Sequence, residues 1–349
     1  MTTTTGTQET PNTVASHIKY PSIEQFRTVV KNVRDAANKY GVPLPKLRFR
    51  GTVKAHGTNA SVVNFGGETW HQSRERVITP ISDNAGFSQY ATFHRDYFEQ
   101  VFVVARDFLP TEAEGAKVAI YGEWCGGNIQ SGIALNQLEK MFIVFGISYG
   151  EEEARKWLDK KDLSTILRGL EEANDHKVYN IMQFPSWEIE IDFANPEAVQ
   201  NELVKITETI ENECPIGKTF GVSGIGEGAV WECIDPTQHR GMRFKVKGEK
   251  HSVSKVKKLV EVDVEKVANI QAFVERVLTV NRMQQMKDKL TEMELDANDV
   301  KNTGTFLKFV GQDVVKEESD TLEASGISNK EAMGKISQLA RNWFLANIV

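Results

Sequence analysis

Apolar residues at helical spacing mark the first ordered element. Phe26, Val29, Val30, Val33, Ala37 and Tyr40 share one face, and Gly41-Val42-Pro43 stops the pattern. Ser22 is placed to open this helix, with Gln25 three residues on as its capping-box partner. From residue 46 to residue 147 the texture changes to short β-rich runs, Leu47 to Val53, Ala60 to Phe65 and Phe142 to Ile147, separated by Gly or polar turns. One helical interlude, Tyr90 to Phe108, carries Phe93, Tyr97, Val101, Val104 and Phe108 on a single face. Glu151 to Glu172 and Pro196 to Glu213 read as further helices, the second with Asn195 as N-cap and Pro196 in its first turn. Thr219 to Val253 forms a last β-rich block. Past Lys258 the strand pattern gives way to helical spacing in Val264, Val267, Ile270, Phe273, Val274 and Val277.

This pattern divides the chain into a Thr-rich flexible tail over 1–16, a mixed domain over 17–258 and an all-helical domain over 259–349. The fold class expected is α+β, with antiparallel sheets and flanking helices followed by an all-α C-terminal domain. The 349 residues suit this division, and 40% hydrophobic with 26% charged residues exclude a wholly disordered or collagen-like chain. No apolar run approaches the ~20 residues of a membrane helix, and the first residues have neither a basic nor an apolar signal region. The three cysteines, Cys125, Cys214 and Cys233, are too scattered for a disulfide framework or a zinc knuckle, so a reducing, cytoplasmic setting is expected. A net charge of −6 argues against coating nucleic acid by bulk charge but leaves room for a local basic groove.

The segment richest in chemistry is Lys54-Ala55-His56-Gly57-Thr58-Asn59. A lysine at a strand end, followed by a Gly-containing turn, can project its amine into a cleft while backbone N–H groups approach a phosphate. An amine attacks only when neutral, so a nucleophilic lysine needs desolvation or neighbouring cations. Alone, the segment reads better as a solvated strand-end lysine beside a hairpin turn. Downstream stand Ser73-Arg74, Gly122-Glu123, Phe142-Ile143-Val144-Phe145-Gly146, Gly226-Glu227-Gly228 and Lys245-Val246-Lys247. Each has an ordinary explanation as well: a surface cation, a solvated carboxylate, core aromatics, a turn residue, or two lysines on an edge strand.

In this order the blocks resemble the covalent nucleotidyltransferases, the polynucleotide ligases and RNA capping enzymes. More narrowly, they resemble the phage-type RNA ligase 2 family, whose first motif has the form Lys-x-His-Gly-(Thr/Ala)-Asn. The likeness runs from about residue 18 to the end of the chain. It implies a nucleotidyltransferase (ATP-grasp-like ligase) domain and an ATP-dependent RNA ligase, with Mg2+ as the divalent ion and Mn2+ as a substitute. Under it, Lys54 is the nucleophile that takes AMP from ATP, while His56 and Asn59 lie beside the reacting phosphates and the end being joined. Arg74 contacts the nucleotide or the RNA 5′-phosphate, Glu123 accepts from the ribose, and Phe145 covers the adenine. Glu227 binds the metal or positions Lys54, and Lys245 and Lys247 hold the α-phosphate. Two positions depart from the pattern: Gly146 stands where relatives often carry Asp, and Val53 precedes the nucleophile where a relative can place Glu.

From Arg240 to Lys258 eight basic residues face one acid, Glu249, a local charge of +7 that suits a polyphosphate backbone. Thr279 to Arg282 and Gly311 to Asp313 resemble polar elements of the same family's helical domain. They imply that Arg282 contacts RNA and Asp313 supports joining, although a helix-surface ion pair or a cap explains both equally. The expected partner is RNA with 5′-phosphate and 3′-hydroxyl ends, held as a nicked duplex by a monomeric enzyme away from membranes. Two rivals stand beside this expectation. One is a DNA ligase or GTP-dependent capping enzyme on the same core, and the other is a catalytically silent RNA-binding protein.

Overall fold

The computed structural model describes residues 15–130, 132–168, 175–248, 270–325 and 328–348. Its strands are β1 (Glu24–Gln25), β2 (Lys46–Val53), β3 (Thr58–Phe65), β4 (Glu68–Ser73), β5 (Val77–Ile78), β6 (Val118–Cys125), β7 (Met141–Tyr149), β8 (Lys156–Trp157), β9 (Val178–Asn180), β10 (Ser186–Asp192), β11 (Gly228–Cys233) and β12 (Arg243–Lys247). Its α-helices are α1 (Phe26–Tyr40), α2 (Phe87–Phe93), α3 (Arg95–Arg106), α4 (Lys160–Arg168), α5 (Gln200–Asn212), α6 (Pro215–Thr219), α7 (Ile270–Val277), α8 (Val280–Glu292), α9 (Thr303–Ser325) and α10 (Asn329–Asn347). The fold is α+β with mainly antiparallel pairing and a helical C-terminal region, as the sequence pattern implies. The expected tail up to residue 14 and the expected boundary at 258 lie outside the described residues, as do Val264 and Val267. Among the described residues, no helix is long and apolar enough to cross a membrane.

The chain forms two compact units. One comprises Asn59–Gly122 and Gly146–Leu170 together with the segment up to Tyr20. Its strands, including the first part of β6 and the last of β7, pair in the order β5-β4-β3-β6-β7-β8. Tyr20, Tyr121 and Trp157 pack as an aromatic cluster, with ring centroids 5.2–5.5 Å apart. Trp157 also explains Gly146, because a Cβ there would lie 3.1 Å from its ring. This anchored return through β8 shortens the helix expected over Glu151 to Glu172: a 3-10 turn and a strand come first, and α4 starts only at Lys160. The helix expected over Tyr90 to Phe108 breaks at His94 (φ −100°, ψ 28°). The break moves the buried face to Tyr97, Phe98, Val101 and Phe102 and leaves Phe93 84% exposed.

The second unit comprises Pro21–Thr58, Glu123–Phe145 and Glu171–Val349. Its five-stranded sheet runs β1-β12-β11-β2-β10; the unit also contains the end of β6, the start of β7 and β9, which pairs with β7. Phe49, Trp231 and Phe244 lie fully buried at its centre, with Trp231 stacked on Phe244. Gly51 is needed beneath Trp231, since a Cβ would stand only 2.7 Å from the indole. The first helix starts at Phe26 rather than Ser22, because Glu24 and Gln25 pair with Phe244 and Lys245 as a parallel edge strand. Gln25 makes no side-chain cap, and Gly41 closes the helix in the left-handed conformation (φ 62°) as expected. Asn195 likewise makes no side-chain cap: a 3-10 turn from Pro196 leads into α5. Phe273, Val274, Val277, Leu290, Phe306, Val310, Ile336 and Phe344 form a separate helical core, with Phe306 stacked on Phe344 at 4.6 Å.

In the first unit His71 lies edge-on to Phe87, with Nδ1 2.9 Å from the Ser88 hydroxyl. Burial pushes its pKa down to about 4. The folded chain therefore binds this proton less readily than the unfolded chain. The stabilisation is complete above the ordinary value of 6.5 and is lost as pH falls towards 4. Urea midpoints followed across this range are expected to fall more steeply in the wild type than in His71→Gln, the excess slope not exceeding about 1.4 kcal/mol per pH unit. Parallel curves would contradict the assignment.

Candidate active site

Strand register assembles the site in the second unit. The Lys54 N–H donates to the Gly228 carbonyl (2.8 Å), so Lys54 leaves β2 beside Glu227, which enters β11. Gly228 pairs with Lys247 and Val230 with Lys245. Their two-residue spacing puts both lysines on one face of β12. Gly228 has φ 145°, and a Cβ on it would collide with the Val246 carbonyl, so this close approach requires glycine.

Glu227 is the hub, with its side chain 1% exposed. Its Oε2 accepts from Lys54 Nζ at 2.6 Å and from His56 Nδ1 at 2.9 Å, and its Oε1 accepts from Lys247 Nζ at 2.9 Å. Since a carboxylate only accepts, His56 carries a proton on Nδ1. Burial opposes ionisation of Glu227, but Lys247, Lys54 and His56 together hold its carboxyl well below the usual range. Burial draws the pKa of Lys247 down; Glu227 opposes this, while Lys54 and Lys245 add to it.

The turn after Lys54 is pinned from β6. The Gly57 N–H donates to Glu123 Oε1 at 3.0 Å, and a Cβ on Gly57 would collide with the Trp124 carbonyl and with Cys125. Burial raises the Glu123 pKa, with Lys54 opposing and Glu227 reinforcing the shift. On β7, Phe142 is fully buried, whereas Phe145 is only half-buried and packs against the core's edge. Lys54, His56, Glu123, Phe145, Glu227, Lys245 and Lys247 thus all belong to this unit. Asn59 and Arg74 belong to the other. There Arg74 sits in the turn after β4 with its side chain 36% exposed, 4.0 Å from Glu75. The neighbouring Arg76 is spent on Ser82 and Asp83.

Glu227, expected to bind the metal or to position Lys54, has both oxygens engaged by Lys54, His56 and Lys247, the contacts that the positioning role needs. Among the described residues, no group of three or more His, Cys, Asp or Glu side chains is placed to hold a metal ion. Arg282, expected to touch RNA, is fully buried. Its guanidinium donates to Asp313 (2.8 Å), Glu318 (3.2 Å) and the Val277 carbonyl, so Arg282 and Asp313 form an internal strut of the helical region. Of the basic run after Arg240, Lys250, Lys255, Lys257 and Lys258 lie outside the described residues.

Sequence reasoning missed the helical residues that reach this site. Glu317 on α9 accepts from Lys245 Nζ at 3.1 Å and from Gln25 Nε2 at 2.5 Å. Glu292 on α8 accepts from the Thr58 hydroxyl at 3.3 Å. No local motif marks them, because their partners lie 72, 292 and 234 positions away.

The RNA ligase family model matches residues 47–247, and the chain belongs to that family. The match runs from the start of β2 to the end of β12, so it contains every group around Glu227. Among solved structures, the chain is similar to RNA ligase structures from Naegleria gruberi. A variant with AMP and Mn is 15% identical over 67% of this chain and 56% of the other, with a TM-score of 0.43. The same ligase with PPi is 13% identical over 71% and 63%, with a TM-score of 0.44. An apo variant is 17% identical over 67% and 56%, with a TM-score of 0.43. The chain thus spans less than two thirds of the length of these relatives. No curated protein matches it.

Replacing Glu227 with Gln removes the charge shared by Lys54, Lys247 and His56. The expected loss is about 2–3 kcal/mol, at the lower end for a broken ion pair because the lysines keep some water contact. Because the folded carboxyl lies below its ordinary 4.5, its contribution is full above that pH and is lost as pH falls further. The urea midpoints of wild type and Glu227→Gln should therefore differ at pH 7 and converge below pH 4.5. Equal midpoints at pH 7 would contradict the counter-ion role.

Proposed function

We propose that this chain is an ATP-dependent RNA ligase that works through a lysyl–AMP intermediate. The observation that carries the reading is the pairing of Lys54 and Lys247 on opposite oxygens of one buried carboxylate, inside the segment that matches the RNA ligase family.

The chemistry follows from charge and position. Lys54 loses its ammonium proton to water, and its lone pair attacks the α-phosphorus of ATP. A P–N bond forms as the P–O bond to pyrophosphate breaks. In the second step an oxygen of the RNA 5′-phosphate attacks the same phosphorus, the P–N bond breaks, and AMP caps the RNA end. In the third step the RNA 3′-hydroxyl attacks the activated 5′-phosphorus and AMP leaves. Each step builds negative charge on phosphoryl oxygens, which Lys245 and Lys247 offset from the shared face of β12.

Other residues position the reactants. The Gly57 amide orients the Glu123 carboxyl, whose role is to accept from the ribose. Phe145, half-buried at the core's edge, offers a face for adenine. His56 and Asn59 serve the reacting ends, and Arg74 serves the 5′-phosphate. A divalent ion, Mg2+ or Mn2+, would be held by substrate phosphates with Glu227 as the carboxylate ligand, and would offset charge on the phosphoryl oxygens. The RNA ends are most economically presented as a nick in a duplex, which keeps the 3′-hydroxyl in line with the activated phosphate.

The test is to incubate the protein with Mg2+ and α-labelled ATP or GTP, denature it, and look for label on the protein. Label from ATP alone is expected; Lys54→Ala abolishes it, and Lys247→Met lowers its rate by at least about 100-fold. Chasing the labelled protein with a nicked RNA duplex should move the AMP onto RNA and yield sealed product. Label from GTP would replace this reading with capping, sealing of DNA nicks alone with a DNA ligase, and no label from either nucleotide with a silent RNA-binding protein.

A further inference from the structure

The C-terminal helices place acids on groups of the basic site. Glu317 of α9 is buried, with Oε1 on Lys245 Nζ at 3.1 Å and Oε2 accepting from Gln25 Nε2 at 2.5 Å. The adjoining Glu318 accepts from Arg27 at 2.8 Å, and Arg27 also donates to the Glu317 carbonyl and to the Thr321 hydroxyl. One turn of α9 is thus tied to β1, α1 and β12 at the same time. From α8, Glu292 holds the Thr58 hydroxyl, and Asp288 lies close enough to His56 to interact with it electrostatically. This contact is specific: both oxygens of Glu317 are engaged, and the Arg282 strut fixes Glu318 from behind.

We infer that Glu317 is a phosphate surrogate: with no nucleotide bound, its carboxylate occupies Lys245 and holds α9 against the site, so that nucleotide binding and the docking of α9 oppose one another. The inference rests on the reading above, in which Lys245 receives a nucleotide phosphate. A carboxylate and a phosphate oxygen compete for the same ammonium, and a fixed negative charge there also repels the incoming polyphosphate. Arg27 and Arg282 both bind Glu318 and keep the helix aligned. The linkage is reciprocal: whatever Glu317 costs nucleotide affinity, nucleotide costs the docking of α9. Two consequences follow for the ligation cycle. The free chain screens Lys245 until ATP arrives, and ATP binding frees α9.

The experiment compares wild type and Glu317→Gln in two measurements. Calorimetry gives the affinity for a non-cleavable ATP analogue with Mg2+, and hydrogen exchange reads the amides of Thr303–Ser325 with and without that analogue. Glu317→Gln is expected to bind the analogue on the order of 10-fold more tightly, as typical coupling energies allow. In the wild type, exchange across α9 should quicken when the analogue binds. Gln25→Leu loosens the same carboxylate without touching Lys245, so it should tighten binding in the same direction but less; it also serves if Glu317→Gln does not fold. A wild type that forms the lysyl adduct while Glu317→Gln binds equally or more weakly, or while α9 exchange is unchanged, would overturn the latch and leave the ligase reading standing. A wild type that neither binds nucleotide nor forms an adduct would remove both.

Discussion

One buried carboxylate organises the candidate site. Glu227 is almost wholly withdrawn from water, and such a charge is tolerable only with close partners. It has three, Lys54, His56 and Lys247, each within 2.9 Å. Without it two ammonium groups and an imidazole would converge unneutralised, and with it they stand ready for a polyanion. The same arrangement that stabilises the resting chain therefore stores the positive charge that phosphoryl transfer needs.

Backbone register does the positioning. Lys54 and Glu227 meet because β2 and β11 are adjacent and antiparallel, and Lys247 meets Glu227 because it lies opposite Gly228. Glycine is required at Gly228 to admit the Val246 carbonyl and at Gly57 to let the turn settle against Trp124 and Cys125. The buried stack of Phe49, Trp231 and Phe244 holds this register from behind. Function and packing share one sheet, with the core on one side of the strands and the reactive ends at their termini.

Much of this was legible in the sequence, and the omissions have a common cause. Lys54, Glu227, Lys245 and Lys247 could be singled out because their blocks stand in the order that resembles the covalent nucleotidyltransferases; each pattern alone also fits an ordinary strand-end, turn or edge role. That Glu227 binds three groups at once depends on which strands become neighbours, which no local pattern states. Gln25 reads as a helix cap three residues after Ser22, yet β1 pairing draws it away and Glu317 takes its amide. Arg282 reads as a surface cation on a polar helix, yet Asp313 and Glu318 from α9 enclose it. Phe93 fits the apolar face of one long helix, yet the break at His94 turns it outward. Helix existence and strand chemistry come from neighbours in sequence; breaks, caps and ion-pair partners come from neighbours in space.

The most direct test of the account is to locate the covalent bond. The protein is incubated with ATP and Mg2+, its intact mass is measured, and the modified peptide is sequenced by tandem mass spectrometry under conditions that preserve a phosphoramidate. The account predicts one added adenylyl group, on Lys54 and nowhere else. An unchanged mass in a folded protein free of bound AMP, or an adenylyl group on any other residue, would contradict it.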